Sequence, residues 1–312
     1  MDPEVAALLP TLESETGRTL ELLRTDVEGL RRRRDELSAP LRGTGPSVRL
    51  QEDRVIAGPG GALNLHIIIP EKPRAAYLHI HGGGWVLGSE KNLDPMLRRL
   101  ANEASVAVVS VGYRLAPEDP YPAGLDDCHA ASLWLEEHLA ELGVDDPGAI
   151  YIGGESAGAN LAAATLLKRR DQGETPLRGA VFTFGVFSAI YDLPSMKAMW
   201  DRELVLSGPV MQQFSEMYAP GRDLKHPYIS PLYADPKGMP PAIFSVGTLD
   251  HLYSDTLLMA DAWKRAGNEC EVFEYVDGFH GFTGYPIEIA RRAHSTINQW
   301  LAARVANAQA VS

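Results

Sequence analysis

Residues 149–170 read AIYIGGESAGANLAAATLLKRR. The first five residues form a short apolar, β-prone run, and the last dozen are rich in Ala and Leu with a basic end. The stretch therefore predicts a strand, a sharp turn and a helix. The turn carries Gly154, Glu155, Ser156, Ala157 and Gly158, a match to G-x-S-x-G. A chain that reverses so tightly leaves no room for large side chains around the serine, which accounts for the small residues on either side. The same geometry holds Ser156 at the top of a sheet and at a helix N-terminus, where backbone N–H groups and the helix dipole favour developing negative charge. Ser156 is thus the candidate nucleophile.

Working outward, the β-rich runs 48–56 and 63–69 flank the turn-forming GPGGA and predict an antiparallel pair. Further strands are expected at 75–81, 105–111, 149–153, 180–184, 242–246 and 271–275. Helical segments are expected at 123–141, 157–170, 254–266 and 286–305. Strands alternating with helices of this length define an α/β fold: a mostly parallel central sheet of about eight strands, flanked by helices on both faces. Three stretches follow from this frame: residues 1–45, an N-terminal helical segment; residues 46–187 with 241–312, the catalytic body; and residues 188–240, an insertion without a clear strand. Within the insertion, Ser207 before Pro209 marks a helix start, and Val210, Met211, Phe214, Met217 and Tyr218 recur at helical spacing. In the N-terminal segment, Arg31 to Arg34 are flanked by Asp26, Glu28, Asp35 and Glu36, which predicts a solvated helix face.

A serine hydroxyl needs a general base oriented by a carboxylate. In this fold class both partners follow the serine, in the order acid then histidine. Asp250 lies just beyond the strand PAIFSVG, where catalytic groups of such sheets project, while Asp255 is placed more simply in the first turn of the next helix. His280, in the loop VDGFHGF after the last strand, is the candidate base. His251 is adjacent to Asp250 and badly placed to bond it, and His294 falls inside the last helix. Upstream, His81-Gly-Gly-Gly-Trp85 follows an apolar strand. Three successive glycines permit close backbone approach and can aim N–H groups at an oxyanion, with the N–H of Ala157 completing the hole. The Lys-Ser or Lys-Thr of a phosphate-binding loop is missing after them, and no second cluster joins His79 and His81 as metal ligands, so neither metal nor cofactor is expected.

Together HGGGW, YRLAPE (113–118) followed by YPA, GESAG and the Asp250 and His280 loops resemble the bacterial hormone-sensitive-lipase family of esterases within the α/β-hydrolase superfamily. The resemblance spans roughly residues 48–304. It implies Ser156, Asp250 and His280 as a catalytic triad and Gly83, Gly84 and Ala157 as oxyanion donors. It further implies a cap built from the N-terminal helices and part of 188–223, with Arg114 and Glu118 as supports near the glycine loop. Two positions depart from the family's usual pattern: Glu155 stands where Asp is commoner, and His251 where Pro is commoner. Carboxylic-ester hydrolysis is the expected activity, on short to medium acyl esters, with Trp85, Met211 and Phe214 among the pocket-wall candidates. Amide or lactone hydrolysis, or a non-catalytic ligand-binding role, are the alternatives.

The 312 residues carry 29 basic and 41 acidic side chains, a net charge of -12 that repels phosphate backbones and argues against nucleic-acid binding. Two cysteines, 128 and 270, are too few for a disulfide framework. No apolar run approaches the ~20 residues of a membrane span, and MDPEVAALLP has acidic residues where a signal peptide is basic. A cytoplasmic enzyme acting on a small-molecule ester is expected, with a homodimer as the assembly the family resemblance suggests.

Overall fold

The computed structural model of the protein describes residues 1–309. Eight strands form one sheet: β1 (Leu50–Gly58), β2 (Gly61–Ile69), β3 (Ala75–Ile80), β4 (Val106–Gly112), β5 (Ile150–Glu155), β6 (Gly179–Thr183), β7 (Ala242–Leu249) and β8 (Cys270–Phe279). Their spatial order is β1-β2-β4-β3-β5-β6-β7-β8. β1 pairs antiparallel with β2 and β2 with β4, and every later pair is parallel. The β1–β2 hairpin closes at Gly58 and Gly61, and Gly61 takes φ 118°, which only glycine adopts without strain. All six residues of β3 are buried, whereas β1 on the sheet edge alternates toward solvent. Those two patterns distinguish a strand covered on both faces from a half-solvated one.

The helices are α1 (Pro3–Thr25), α2 (Val27–Ser38), α3 (Asp94–Ala104), α4 (Ala123–His138), α5 (Ala157–Asp171), α6 (Pro194–Ala198), α7 (Gly208–Tyr218), α8 (Tyr253–Arg265) and α9 (Glu288–Gln309). α3 packs on α9 and α4 on α5, while α8 lies against β7 and β8. The strand and helix order agrees with the α/β reading of the sequence, with α3 added where no helix was assigned. Because the parallel strands share a direction, the loops after β3, β5, β7 and β8 all emerge at the same carboxyl edge. Ligands bind at this edge in such sheets.

Two elements lie outside this sandwich. Asp26 ends α1 and caps α2, its carboxylate accepting from the Gly29 N–H at 2.8 Å. α1 packs against α7 of the insertion and buries Val5 and Leu12 in a cluster with Leu204, Phe279 and Phe282. The N-terminal segment is thereby fixed to the loop that carries His280. The solvated face expected for Arg31 to Arg34 forms at Arg32 and Arg34, which are exposed, with Arg33 half-exposed; Arg31 departs from it. Arg31 turns inward, its guanidinium donating to the Val86 carbonyl at 2.9 Å, the Ala116 carbonyl at 2.8 Å and Glu118 at 2.8 Å. The orphan carbonyls around the glycine loop supply the reason: a planar five-donor fork can satisfy several of them at once.

Candidate active site

Ser156 takes φ 56° and ψ -119°, a conformation that favours glycine but here is held by a non-glycine residue at the strand-to-helix reversal. Its N–H donates to the Thr183 carbonyl at 3.0 Å, which ties the turn to the neighbouring strand β6. The glycines on either side are sterically obligatory. A Cβ on Gly154 would fall 2.0 Å from the Ile80 carbonyl oxygen, and one on Gly158 would fall 1.9 Å from the same atom. The G-x-S-x-G spacing is therefore the spacing at which the elbow crosses the end of β3.

β7 and β8 deliver the other two groups. The His280 Nδ1 is 3.0 and 3.1 Å from the two Asp250 oxygens, and its Nε2 is 2.9 Å from the Ser156 hydroxyl. As a carboxylate Asp250 can only accept, so Nδ1 carries the proton and Nε2 faces the hydroxyl as an acceptor. Asp250 is fully buried and also accepts from the Leu252 N–H at 2.8 Å, and Phe184 stands edge-on to the His280 ring at 4.9 Å. This chain has the connectivity required for proton transfer from a serine hydroxyl.

The glycine loop faces this group. Gly83 and Gly84 have φ 126° and 62°, and their N–H groups, with that of Ala157 at the start of α5, donate to no protein acceptor among the described residues. His81 supports the loop from behind, stacked on Tyr113 at 4.2 Å and donating from Nδ1 to the Gly82 carbonyl. Burial lowers its pKa to about 3, so the ring is neutral at any ordinary pH. The Tyr113 hydroxyl in turn donates to the His81 carbonyl at 3.0 Å. Arg114 grips Asp127 on α4 at 2.9 Å, and Glu118 receives Arg31.

Of the expected wall residues, Phe214 lies directly on the loop: a Cβ at Gly84 would come within 2.5 Å of its ring. Trp85 is 1% exposed, stacked on Tyr218 at 4.4 Å, with its indole N–H 3.3 Å from Asn160 Oδ1. It belongs to the core behind the loop. Met211 is buried in the same core. His251 donates from Nε2 to the Met199 and Arg202 carbonyls at 2.9 Å and so anchors the insertion, and His294 bonds the Thr283 carbonyl.

Asp255 had no functional assignment in the sequence beyond its place in the first turn of α8. It is buried and accepts from the N–H groups of Phe187 and Ser188 at 2.9 and 2.8 Å, holding the start of the insertion beside the triad. Burial, reinforced by the negative Asp250 nearby, pushes its pKa up to about 8. Only its closeness in sequence to Asp250 could have drawn attention to it. Below the nucleophile, His79 joins Glu155 at 3.0 Å and Ser110 at 2.8 Å, which gives the His79 ring a purely protein-bonded role. No group of three or more His, Cys, Asp or Glu side chains among the described residues could hold a metal ion.

This sheet, its carboxyl-edge loops and the strained serine elbow define an α/β hydrolase. A family profile described as alpha/beta hydrolase fold matches residues 77–284, and the chain belongs to that family, in its hormone-sensitive-lipase-like branch. Among curated relatives, it is 36% identical over 224 residues to Carboxylesterase NlhH of Mycobacterium tuberculosis, covering 70% of each chain. It is 32% identical over 289 residues to Esterase LipI of the same organism, covering 89% of this chain and 88% of the other. Among solved structures, the hyperthermophilic esterase of the archaeon Pyrobaculum calidifontis superposes with a TM-score of 0.84 at 32% identity, over 92% of this chain and 96% of that one.

Proposed function

We propose that this carboxylesterase hydrolyses short to medium acyl esters through a Ser156–His280–Asp250 triad and an acyl-enzyme intermediate. The observation that carries the reading is the unbroken hydrogen-bond chain from Asp250 through His280 to the Ser156 hydroxyl. His280 takes the hydroxyl proton as Ser156 attacks the ester carbonyl, and Asp250 stabilises the imidazolium that forms. The tetrahedral oxyanion is received by the N–H groups of Gly83, Gly84 and Ala157, which among the described residues have no protein acceptor to give up. His280 then gives the proton to the departing alkoxide, so that the alcohol leaves. It next activates a water molecule that attacks the acyl-enzyme and frees the acid, returning the proton to Ser156.

Residues 1–45 together with part of 188–240 act as a cap over this site, with 46–187 and 241–312 as the catalytic body. The packing of α1 on α7 and the placement of Phe214 on the glycine loop support that division. A wall built from so much cap suits short and medium chains better than long ones. The two thiols, both free, suit a cytoplasmic enzyme. Among the described residues no helix is long and apolar enough to cross a membrane.

The test is a series of p-nitrophenyl esters from acetate to palmitate with wild type and Ser156→Ala. A maximum at or below octanoate and a loss in kcat of about 10⁴ to 10⁶ in the variant are expected. A maximum at palmitate would refute the chain-length reading, and wild-type turnover by the variant would refute the nucleophile.

A further inference from the structure

Four consecutive arginines occupy α2, and three have carboxylate partners. Arg31 holds Glu28 and Glu118, Arg32 lies 3.9 Å from Asp26, and Arg33 takes both oxygens of Glu15 at 2.8 and 2.9 Å. Arg34 has no ion pair or hydrogen bond among the described residues. The neighbouring Asp35 is already held by Arg42, and Glu36 is only two positions along the helix, a spacing at which side chains do not face each other. Other arginines, Arg18 and Arg74 included, also lack partners among the described residues; what distinguishes Arg34 is the cavity it lines.

Its location gives that charge a use. A cavity of about 380 Å³ opens between α2 and the residues after the glycine loop, lined by Arg34, Asp35, Glu36, Gly88, Ser89 and Asn92. Gly88 packs on the oxyanion loop: a Cβ there would fall 2.6 Å from both the Gly82 carbonyl oxygen and His81 Nδ1. Gly82 packs in turn on the nucleophile, since a Cβ on it would come 3.4 Å from the Ser156 Cβ. The Arg34 charge also acts on Tyr285, five residues beyond His280, where it opposes the rise in pKa that burial causes. Arg34 thus shares a cavity with the residues that follow the glycine loop and is near enough to Tyr285 for its charge to be felt there. It is solvent-accessible, yet protein surrounds it closely enough that desolvation lowers its pKa. A cation in that position gains from an anion more than a fully hydrated one does.

We propose that Arg34 is a specificity-determining residue that receives a free carboxylate carried by the ester substrate, so that the enzyme favours half-esters of dicarboxylic acids or esters of carboxylated alcohols over neutral esters. The proposal rests on the esterase reading above and names the substrate class of the same site. A planar guanidinium offers two parallel N–H donors to a carboxylate, which fixes orientation as well as adding affinity. Asp35 is engaged by Arg42, and Glu36, which lines the same cavity, forms no ion pair with Arg34, so an incoming anion has no bound carboxylate to displace.

The experiment compares kcat/KM for three esters: neutral 4-nitrophenyl butyrate, mono-4-nitrophenyl glutarate with its carboxylate on the acyl side, and 4-acetoxybenzoate with its carboxylate on the alcohol side. Wild type, Arg34→Gln and Arg34→Lys are measured at equal folded concentration. In Arg34→Gln the ratio of anionic to neutral kcat/KM should fall about tenfold or more for one of the two anionic esters, through KM rather than kcat, with Arg34→Lys intermediate. Which anionic ester responds identifies the side of the scissile bond that faces Arg34. A ratio unchanged for both anionic esters would overturn the proposal. Calorimetric titration of Ser156→Ala, with and without Arg34→Gln, by the same anionic esters reads binding without turnover. Binding that depends on Arg34 in a protein that hydrolyses none of the three esters would sustain the anion site and refute the esterase reading. Binding indifferent to Arg34 would refute the anion site alone.

Discussion

Replacing Asp255 by Asn removes a titratable carboxyl buried near Asp250 while leaving an oxygen to accept from the Phe187 and Ser188 N–H groups. The carboxyl is raised by burial, and by the nearby Asp250, from an ordinary 3.8 to about 8. Its sign as a stability effect is fixed by linkage. Below about pH 4 both folded and unfolded chains hold the proton and the group is neutral in its effect on pH dependence. Between about pH 4 and 8 only the folded chain holds it, so stability is lost steadily as pH rises, and above about 8 the loss levels off. At about 1.4 kcal/mol per pKa unit the shift bounds the loss at roughly 5–6 kcal/mol. Internal relaxation, expressed as an effective dielectric near 20, reduces the expected value to about 2–3 kcal/mol. Asn does not titrate, so Asp255→Asn should gain on wild type as pH rises. Thermal unfolding followed by circular dichroism should show the Tm difference growing by about 2–3 °C between pH 5.5 and pH 8.5, because part of the loss has already occurred at pH 5.5. A difference that stays constant over that range would mean that Asp255 is ionised throughout, and the desolvation argument would be wrong.

Asp250→Asn should lower kcat by about 10⁴, because the amide leaves His280 in the wrong tautomer, while Asp255→Asn measured beside it at pH 7 should change kcat little. The reverse ranking would exchange the roles of the two acids. Gly158→Ala should destabilise the fold by at least about 3 kcal/mol in urea titration or abolish soluble expression, since the added methyl has no space beside the Ile80 carbonyl. Arg31→Ala should cost about 1–2 kcal/mol in the urea midpoint and raise KM, because it leaves the Val86 and Ala116 carbonyls without their donor. An unchanged midpoint would mean that α2 is held by apolar contacts alone.

Much of the fold was legible because its signals are local. The elbow, the GPGGA hairpin and the helix start at Ser207 each declare themselves within a dozen residues, and the structure forms all three. Asp250 and His280 could be picked out because strand ends in a parallel sheet share one edge. What stayed hidden depends on contacts far apart in the chain. Arg31 meets Glu118 across 87 positions, Asp255 reaches Phe187 across 68, and Trp85 finds its stacking partner Tyr218 in the insertion. Residue type and spacing do not encode such meetings. Four adjacent arginines among acids look like a hydrated surface until a carbonyl-rich loop is brought against one of them and a cavity against another.

Whether Ser156 is the nucleophile, activated by His280, is decided by intact-mass and peptide analysis of the wild-type protein treated with a fluorophosphonate, with esterase activity read in parallel. A single adduct is expected, located on the peptide containing Ser156, with activity lost in proportion to its formation. No adduct, or an adduct elsewhere with hydrolysis unaffected, would contradict it.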